Sequence, residues 1–180
     1  EPSDGNPANI LFYNDAGATL TKSGGSGTST LEMGIVNEGT IAASSGTLVL
    51  GGGGIHGDAT WQTSDTGVLR LLGDHVVDGT VTSTTGQGVV EIGYPGEPAS
   101  TVIADGGVLD NHGFVFQYGA MRVAAGGSLE NHSQLFLVAD TLTIDEGGAL
   151  TNQDSGNFQI DGNGTIANGG NVALFSGTVN

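Results

Sequence analysis

The chain has no cysteine, which excludes disulfides, thiolate nucleophiles and cysteine-ligated zinc. Its cations are only three, Lys22, Arg70 and Arg122, against nineteen Asp and Glu, for a formal net charge of −16. Phosphate-backbone recognition needs clustered Lys and Arg, so no nucleic-acid partner is expected, and an anionic membrane surface would repel the chain. No run approaches the ~18 apolar residues of a membrane span, so no membrane insertion is expected. The opening EPSDGNPAN is polar and acidic and does not have the pattern of a signal peptide. Proline is scarce, at four residues. No window of about eleven residues carries a glycine-free apolar stripe at helical spacing, so no helix is expected.

What the chain does have is glycine, 34 residues of it, and short apolar bursts that make up much of its 37% hydrophobic content. TLVL, GVLRL, GVVEI, TVIA, FVF, MRVA, QLFLV and TLTI are β-branched or aliphatic and bounded by Gly, Asn or Asp, so each reads as a strand. Glycine lacks the every-third-residue spacing of collagen, and the regular bursts exclude a flexible linker.

The bursts repeat. TVIADGGVLDNHGFVFQYG (101–119), AMRVAAGGSLENHSQLFLVAD (120–140) and TLTIDEGGALTNQDSGNFQID (141–161) align along their length, and GTIANGGNVALFSGTVN follows as a shorter echo. The Gly-Gly pairs 106–107, 126–127, 147–148 and 169–170 begin 20, 21 and 22 residues apart. Each repeat holds three strands, in columns TVIA/MRVA/TLTI/GTIA, VLDN/SLEN/ALTN/NVAL and FVFQ/QLFL/NFQI. Backwards, HVVD and IVNE fit the first column, GTVT and GTIA the second, and GTLVL, GVLRL and GVVEI the third.

Three strands per ~20 residues is the pattern of a parallel β-helix, an all-β solenoid. Seven to eight rungs of 20–21 residues are expected, right-handed by the rule for parallel crossovers, as one domain over 10–180 after a polar extension at 1–9. YPGEPAS (94–100) interrupts the register and reads as an inserted loop. The turn glycines Gly106, Gly107, Gly126, Gly127, Gly147, Gly148, Gly169 and Gly170 would sit at one corner. Asn111, Asn131 and Asn152 would stack as an asparagine ladder, each amide bonding the next.

The loose rule of an apolar residue, x, Asn, x, Gly or Ser, then an apolar strand is carried by NEGTI (37–41), DNHGFVF, ENHSQLF and NGGNVAL. It resembles the filamentous-haemagglutinin repeats and autotransporter passengers of bacterial surface proteins, over residues 29–180. The resemblance implies a secreted or surface-attached adhesin with no catalytic residues in its shaft. The chain departs from that group in its acidity and near absence of lysine.

Several side chains invite chemistry. Stacked His112 and His132, flanked by Asp110 and Glu130, could offer imidazole nitrogens to a transition metal. Gln153 at the next level favours instead a polar corner column without metal. Asp105 and Glu146, and more loosely Glu38 and Asp78, precede turn glycines and could hold calcium, but Ala125 and Asn168 break the column and the calcium-solenoid motif is absent. No metal and no cofactor are therefore expected, with calcium the one cofactor left open. His56 and His75 complete neither idea. A polysaccharide lyase needs a basic proton acceptor and clustered cations, and a hydrolase needs paired carboxylates on one face; Arg70 and Arg122 are too isolated, and Asp58, Asp65, Asp74 and Asp78 fall mostly at turns, with no basic cluster beside them. Enzymatic activity is not expected. The TxT pairs Thr19/Thr21, Thr80/Thr82 and Thr141/Thr143 do not recur on adjacent rungs, which argues against ice binding. Tyr94, Tyr118 and Trp61 are the candidate ligand contacts for carbohydrate, while Phe114, Phe116, Phe136 and Phe158 are expected to stack in the core.

Strand character runs to the last residues, so bare sheet edges are expected to invite pairing. The reading is an extracellular structural solenoid, the shaft or subunit of a bacterial surface fibre, with itself as partner, end to end. A carbohydrate- or host-surface-binding adhesin module, with the 94–100 loop as its contact, is the alternative.

Overall fold

A computed structural model describes residues 10–97, 99–153, 156–161, 163–174 and 178–179. The expected polar extension 1–9 lies outside the described residues. Among these residues there is no helix, and the strands form three eight-stranded parallel sheets. The chain visits the sheets in turn, so each coil contributes one strand to each, and eight coils stack into a β-solenoid. The fifth coil is typical: Ala99–Ile103 in the first sheet, Val108–Asn111 in the second, Phe114–Gln117 in the third. The inserted loop is shorter than expected. Tyr94 and Glu97 close it with an antiparallel bridge, and the strand Ala99–Ile103 has already begun within the 94–100 segment.

Alternation sets the core. In Val108–Asn111, Leu109 and Asn111 are buried and Val108 and Asp110 are half-buried, the outward pair. Stacking then lines like residues along the axis. Ala59, Val81, Leu109, Leu129 and Leu150 are in register in the second sheet. Val77, Ile103, Val123 and Ile144 follow one another in the first, and Leu48, Leu69, Val90, Val115, Leu135 and Phe158 in the third. All are buried, and each fully buried aliphatic contributes about 1.5–3 kcal/mol.

The glycine pairs split their work at the corner between the first and second sheets. Gly107, Gly127 and Gly148 each donate a backbone hydrogen bond across a four-residue turn, to Ala104, Ala124 and Asp145, at 2.9 Å. The first glycine of these three pairs, Gly106, Gly126 or Gly147, supplies the positive φ that this turn requires, +77° at Gly106. The second has no room for a side chain: a Cβ on Gly107 would lie 2.3 Å from the Val77 carbonyl of the coil beneath. At the eighth coil the Asn168 side chain accepts from Gly170 N instead, at 3.0 Å.

The expectations for four aromatic residues are corrected. Trp61 is fully buried, not a surface contact. It stands on an inward position between Ile41 and Ser83, and the small serine leaves the space the indole fills. Phe116 and Phe136 are outward and half-buried, stacked on each other with centroids 4.6 Å apart, and Phe114 is 36% exposed. In the run FVF the register with Val90 and Leu135 turns Val115 inward, and the alternating pleat then turns Phe114 and Phe116 outward. Of the four phenylalanines expected there, Phe158 alone lies in the core.

Gly107→Ala is expected to lower stability by about 1–3 kcal/mol, the cost of overpacking against a backbone carbonyl that cannot move away. Gly24→Ala, with open space around the new methyl group, should change it by less than about 0.5 kcal/mol. Denaturant midpoints of the two variants test this. Equal midpoints would mean that the corner yields freely.

Candidate functional site

The solenoid interior contains two polar columns. At the end of the second-sheet strands, Asn111 Nδ2 donates to Asn131 Oδ1 and Asn131 Nδ2 to Asn152 Oδ1, both at 2.7 Å. All three amides are fully buried. Their remaining groups bond the turns: Gly113 N donates to Asn111 Oδ1 at 3.0 Å, and Asn152 Nδ2 donates to Gly156 O at 2.8 Å. The ladder spans the fifth to seventh coils and begins above Ser83, whose buried hydroxyl has no hydrogen-bond partner.

The second polar column was not anticipated. Asn14 Nδ2 donates to Asn37 Oδ1 at 2.7 Å at the end of the first-sheet strands, and His56 continues the column. His56 Nε2 lies 3.0 Å from His75 Nδ1, and both rings are buried. His75 enters from the neighbouring inward column, where Gly54 directly below it has no side chain. The network assigns the tautomers. Trp61 Nε1–H donates to His56 Nδ1 at 3.1 Å, so His56 carries its proton on Nε2 and donates to His75 Nδ1. His75 Nε2–H then donates to the Leu72 carbonyl at 3.0 Å. Burial, reinforced by repulsion from His75, pushes the His56 pKa down to about 3. Burial also lowers His75 to about 4, against the opposing pull of the Leu72 and Leu50 carbonyls and Asp74.

Outside the shaft, one cluster gathers metal-ligating atoms. Asp110, His112 and His132 place one ligand atom each within 4.8 Å of one another, the only such set among the described residues. The imidazoles are stacked, with centroids 4.5 Å apart and planes 7° from parallel. Asp105 and Glu146 are exposed on turns with the Ala125 turn between them, and they do not meet. Glu38, Asp58 and Asp78 line a shallow depression, but Asp58 is engaged with Thr80 N at 2.9 Å and the three do not converge.

The loop builds an aromatic corner with the third sheet. Tyr94 is 39% exposed, and the Arg70 guanidinium lies 3.7 Å from its ring centroid. Tyr118 is 6.4 Å from Tyr94 and stacks at 6.3 Å on Phe116, which extends the row to Phe136. Arg70 is tied to Glu91 at 2.7 Å, and that carboxylate, after burial itself, helps to raise the Tyr118 pKa. A shallow groove lined by Tyr94, Gly96, Glu97, Tyr118 and Asp140 runs beside this corner. Arg122 stands on the first sheet, paired with Asp145, so the two shaft arginines occupy different faces.

The buried histidines make stability sensitive to pH. The unfolded chain takes up protons near pH 6.5, where the folded rings stay neutral, so their contribution is complete above that value. It is lost as pH falls from about 6.5 toward about 4 and about 3. At pH 5.5 the pair should cost the fold about 2–3 kcal/mol relative to pH 7.5. The variant His56→Asn/His75→Leu keeps His112 and His132 and should lose this difference. Urea titrations of both proteins at the two pH values test it, and equal pH dependence would refute the assignment. Comparisons of the chain with protein-family models, with curated proteins and with solved structures find no match.

Proposed function

We propose that the chain is a non-enzymatic shaft module of a bacterial surface fibre or adhesin, secreted or held at the cell surface, that stacks coil on coil with further copies of itself. The observation that carries this reading is the unbroken parallel pairing of all three sheets through eight coils. Each coil offers the next the same backbone ladder, so one more coil from another copy needs no new chemistry. A head-to-tail contact of this kind propagates into filaments. Among the described residues, Leu11–Asn14, Thr19–Lys22 and Thr28–Leu31 pair on one side only. The high negative charge limits sideways clumping. The separation of Arg70 and Arg122, each held in an ion pair, supports the non-enzymatic reading.

A second reading is favoured by the aromatic corner. A row of Tyr94, Tyr118, Phe116 and Phe136 beside Arg70, Glu91 and Glu97 combines flat apolar faces with polar groups, the surface that a carbohydrate ring requires.

Negative-stain electron microscopy of the purified 180-residue chain, with calcium and with chelator, tests the first reading. Uniform filaments are expected; filaments lost on chelation would make calcium part of the junction. Discrete rods about 40 Å long, eight coils at the ~4.8 Å strand spacing, would sink self-assembly. For the second reading, glycan-array binding should appear and fall at least tenfold in Tyr94→Ala. An array blank for the wild-type chain would remove it.

A further inference from the structure

We propose that Asp110, His112 and His132 form a site for one borderline divalent transition-metal ion, of the Zn²⁺, Ni²⁺ or Cu²⁺ class, bridging the fifth and sixth coils. His112 Nε2 lies 2.9 Å from Asp110 Oδ1, and His132 Nε2 lies 3.5 Å from the same oxygen. Ligand atoms about 2.0–2.1 Å from a tetrahedral ion are about 3.3 Å from one another, which the two nitrogen–oxygen separations bracket; each Nε2 lone pair lies in its ring plane and the planes are stacked 7° from parallel, so the imidazoles turn toward one another to share the ion.

The arrangement is held by the fold. Asp110 and His112 are two residues apart, and both face outward at the end of one strand. The His112 and His132 backbone amides are pinned to the Ser83 and Asn111 carbonyls, each at 2.8 Å. The backbone ladder thus brings the imidazoles to one coil spacing before any ion arrives. Asp110 Oδ1 is shielded from solvent and accepts no hydrogen bond, although it faces both Nε2 atoms; the other oxygen, Oδ2, is hydrogen-bonded to His112 Nε2 at 3.0 Å, a bond that the ion would replace. The histidine side chains are 46% and 33% exposed, which leaves an ion room for water in its remaining positions.

The columns themselves single out these two coils. The outward column reads Thr60, Thr82, Asp110, Glu130, Thr151, and its neighbour reads Gln62, Thr84, His112, His132, Gln153. Neutral polar residues give way to ligand types in both columns at the same two levels. There Asp110 sits directly in register with Glu130, the only carboxylate pair so placed among the described strand pairs. Stacked like charges are unfavourable at this distance, and a cation beside them removes the cost. Two imidazoles with one carboxylate suit zinc, nickel or copper. Calcium, which takes six to eight oxygens, is excluded from this set.

The test uses the full chain stripped with chelator. Calorimetric titration with zinc sulfate should give one ion per chain, and excess calcium should not compete. His132→Gln and Asp110→Thr, which install residues already present in the same columns, should each weaken binding at least tenfold. Their metal-free melting temperatures should stay close to wild type. With copper sulfate, electron paramagnetic resonance should show coupling to two nitrogens, reduced to one in His132→Gln. Absence of nitrogen coupling in the wild-type chain would overturn the site whatever the variants do. So would unchanged affinity in both variants, which would indicate adsorption on surface carboxylates.

Discussion

The backbone ladder between successive coils governs the rest of this molecule. Parallel strands lie ~4.8 Å apart, and in-register stacking places each side chain directly above its counterpart. A column must therefore be a series of groups that tolerate contact with their own kind. Aliphatic residues do so by packing, as in Val77, Ile103, Val123 and Ile144. Amides do so by hydrogen bonding, since each carries both a donor and an acceptor along the axis. Carboxylates do neither, and they are mostly dispersed among columns or set on turns, so a net charge of −16 coexists with a continuous fold.

The same constraint explains the two interior polar columns and their limits. A buried amide costs stability unless every group finds a partner, and the Asn111–Asn131–Asn152 stack meets this by bonding neighbours above and below and the turn beside it. The first-sheet column starts the same way with Asn14 and Asn37 and then changes to His56. There the coil below His75 supplies only Gly54, and the imidazole, longer than an amide, reaches across to the next column. Trp61 completes the change by giving His56 Nδ1 a donor. The indole, the two imidazoles and the glycine form one packing solution, in which removing any member leaves a hole or an unpaired nitrogen.

Column assignments, strand order and turn glycines were legible in the sequence because they repeat, and a repeat with a fixed period projects onto a fixed place. What was not legible depends on a single coil. Trp61 has no counterpart in its column, and its inward phase is set by pairing with Ile41 and Ser83. FVF and QLFL each have three apolar residues in succession, so alternation alone does not say which face inward, and Phe116 and Phe136 stack outside. His56 and His75 occupy different strand positions and meet only on a diagonal, which no column reading displays. Asn14 and Asn37, each followed by an acidic residue after an apolar strand, were a detectable sign of the second ladder.

Exterior columns obey a looser rule, and this is where function can enter. Tyr13, Val36, Ile55, Val76 and Val102 run in register along the outer face of the first sheet, Arg70 stands on Glu91 in the third, and Asp110 stands on Glu130 in the second. Water and long side chains relieve most mismatches there. An Arg-on-Glu stack relieves itself by pairing. An Asp-on-Glu stack cannot, so the relief must come from beside it. The two histidines stand in the adjacent column, and an ion held between them and Asp110 would supply it. Such an ion needs three donor atoms close enough to share it, and His112 and His132 both place Nε2 beside Asp110 Oδ1.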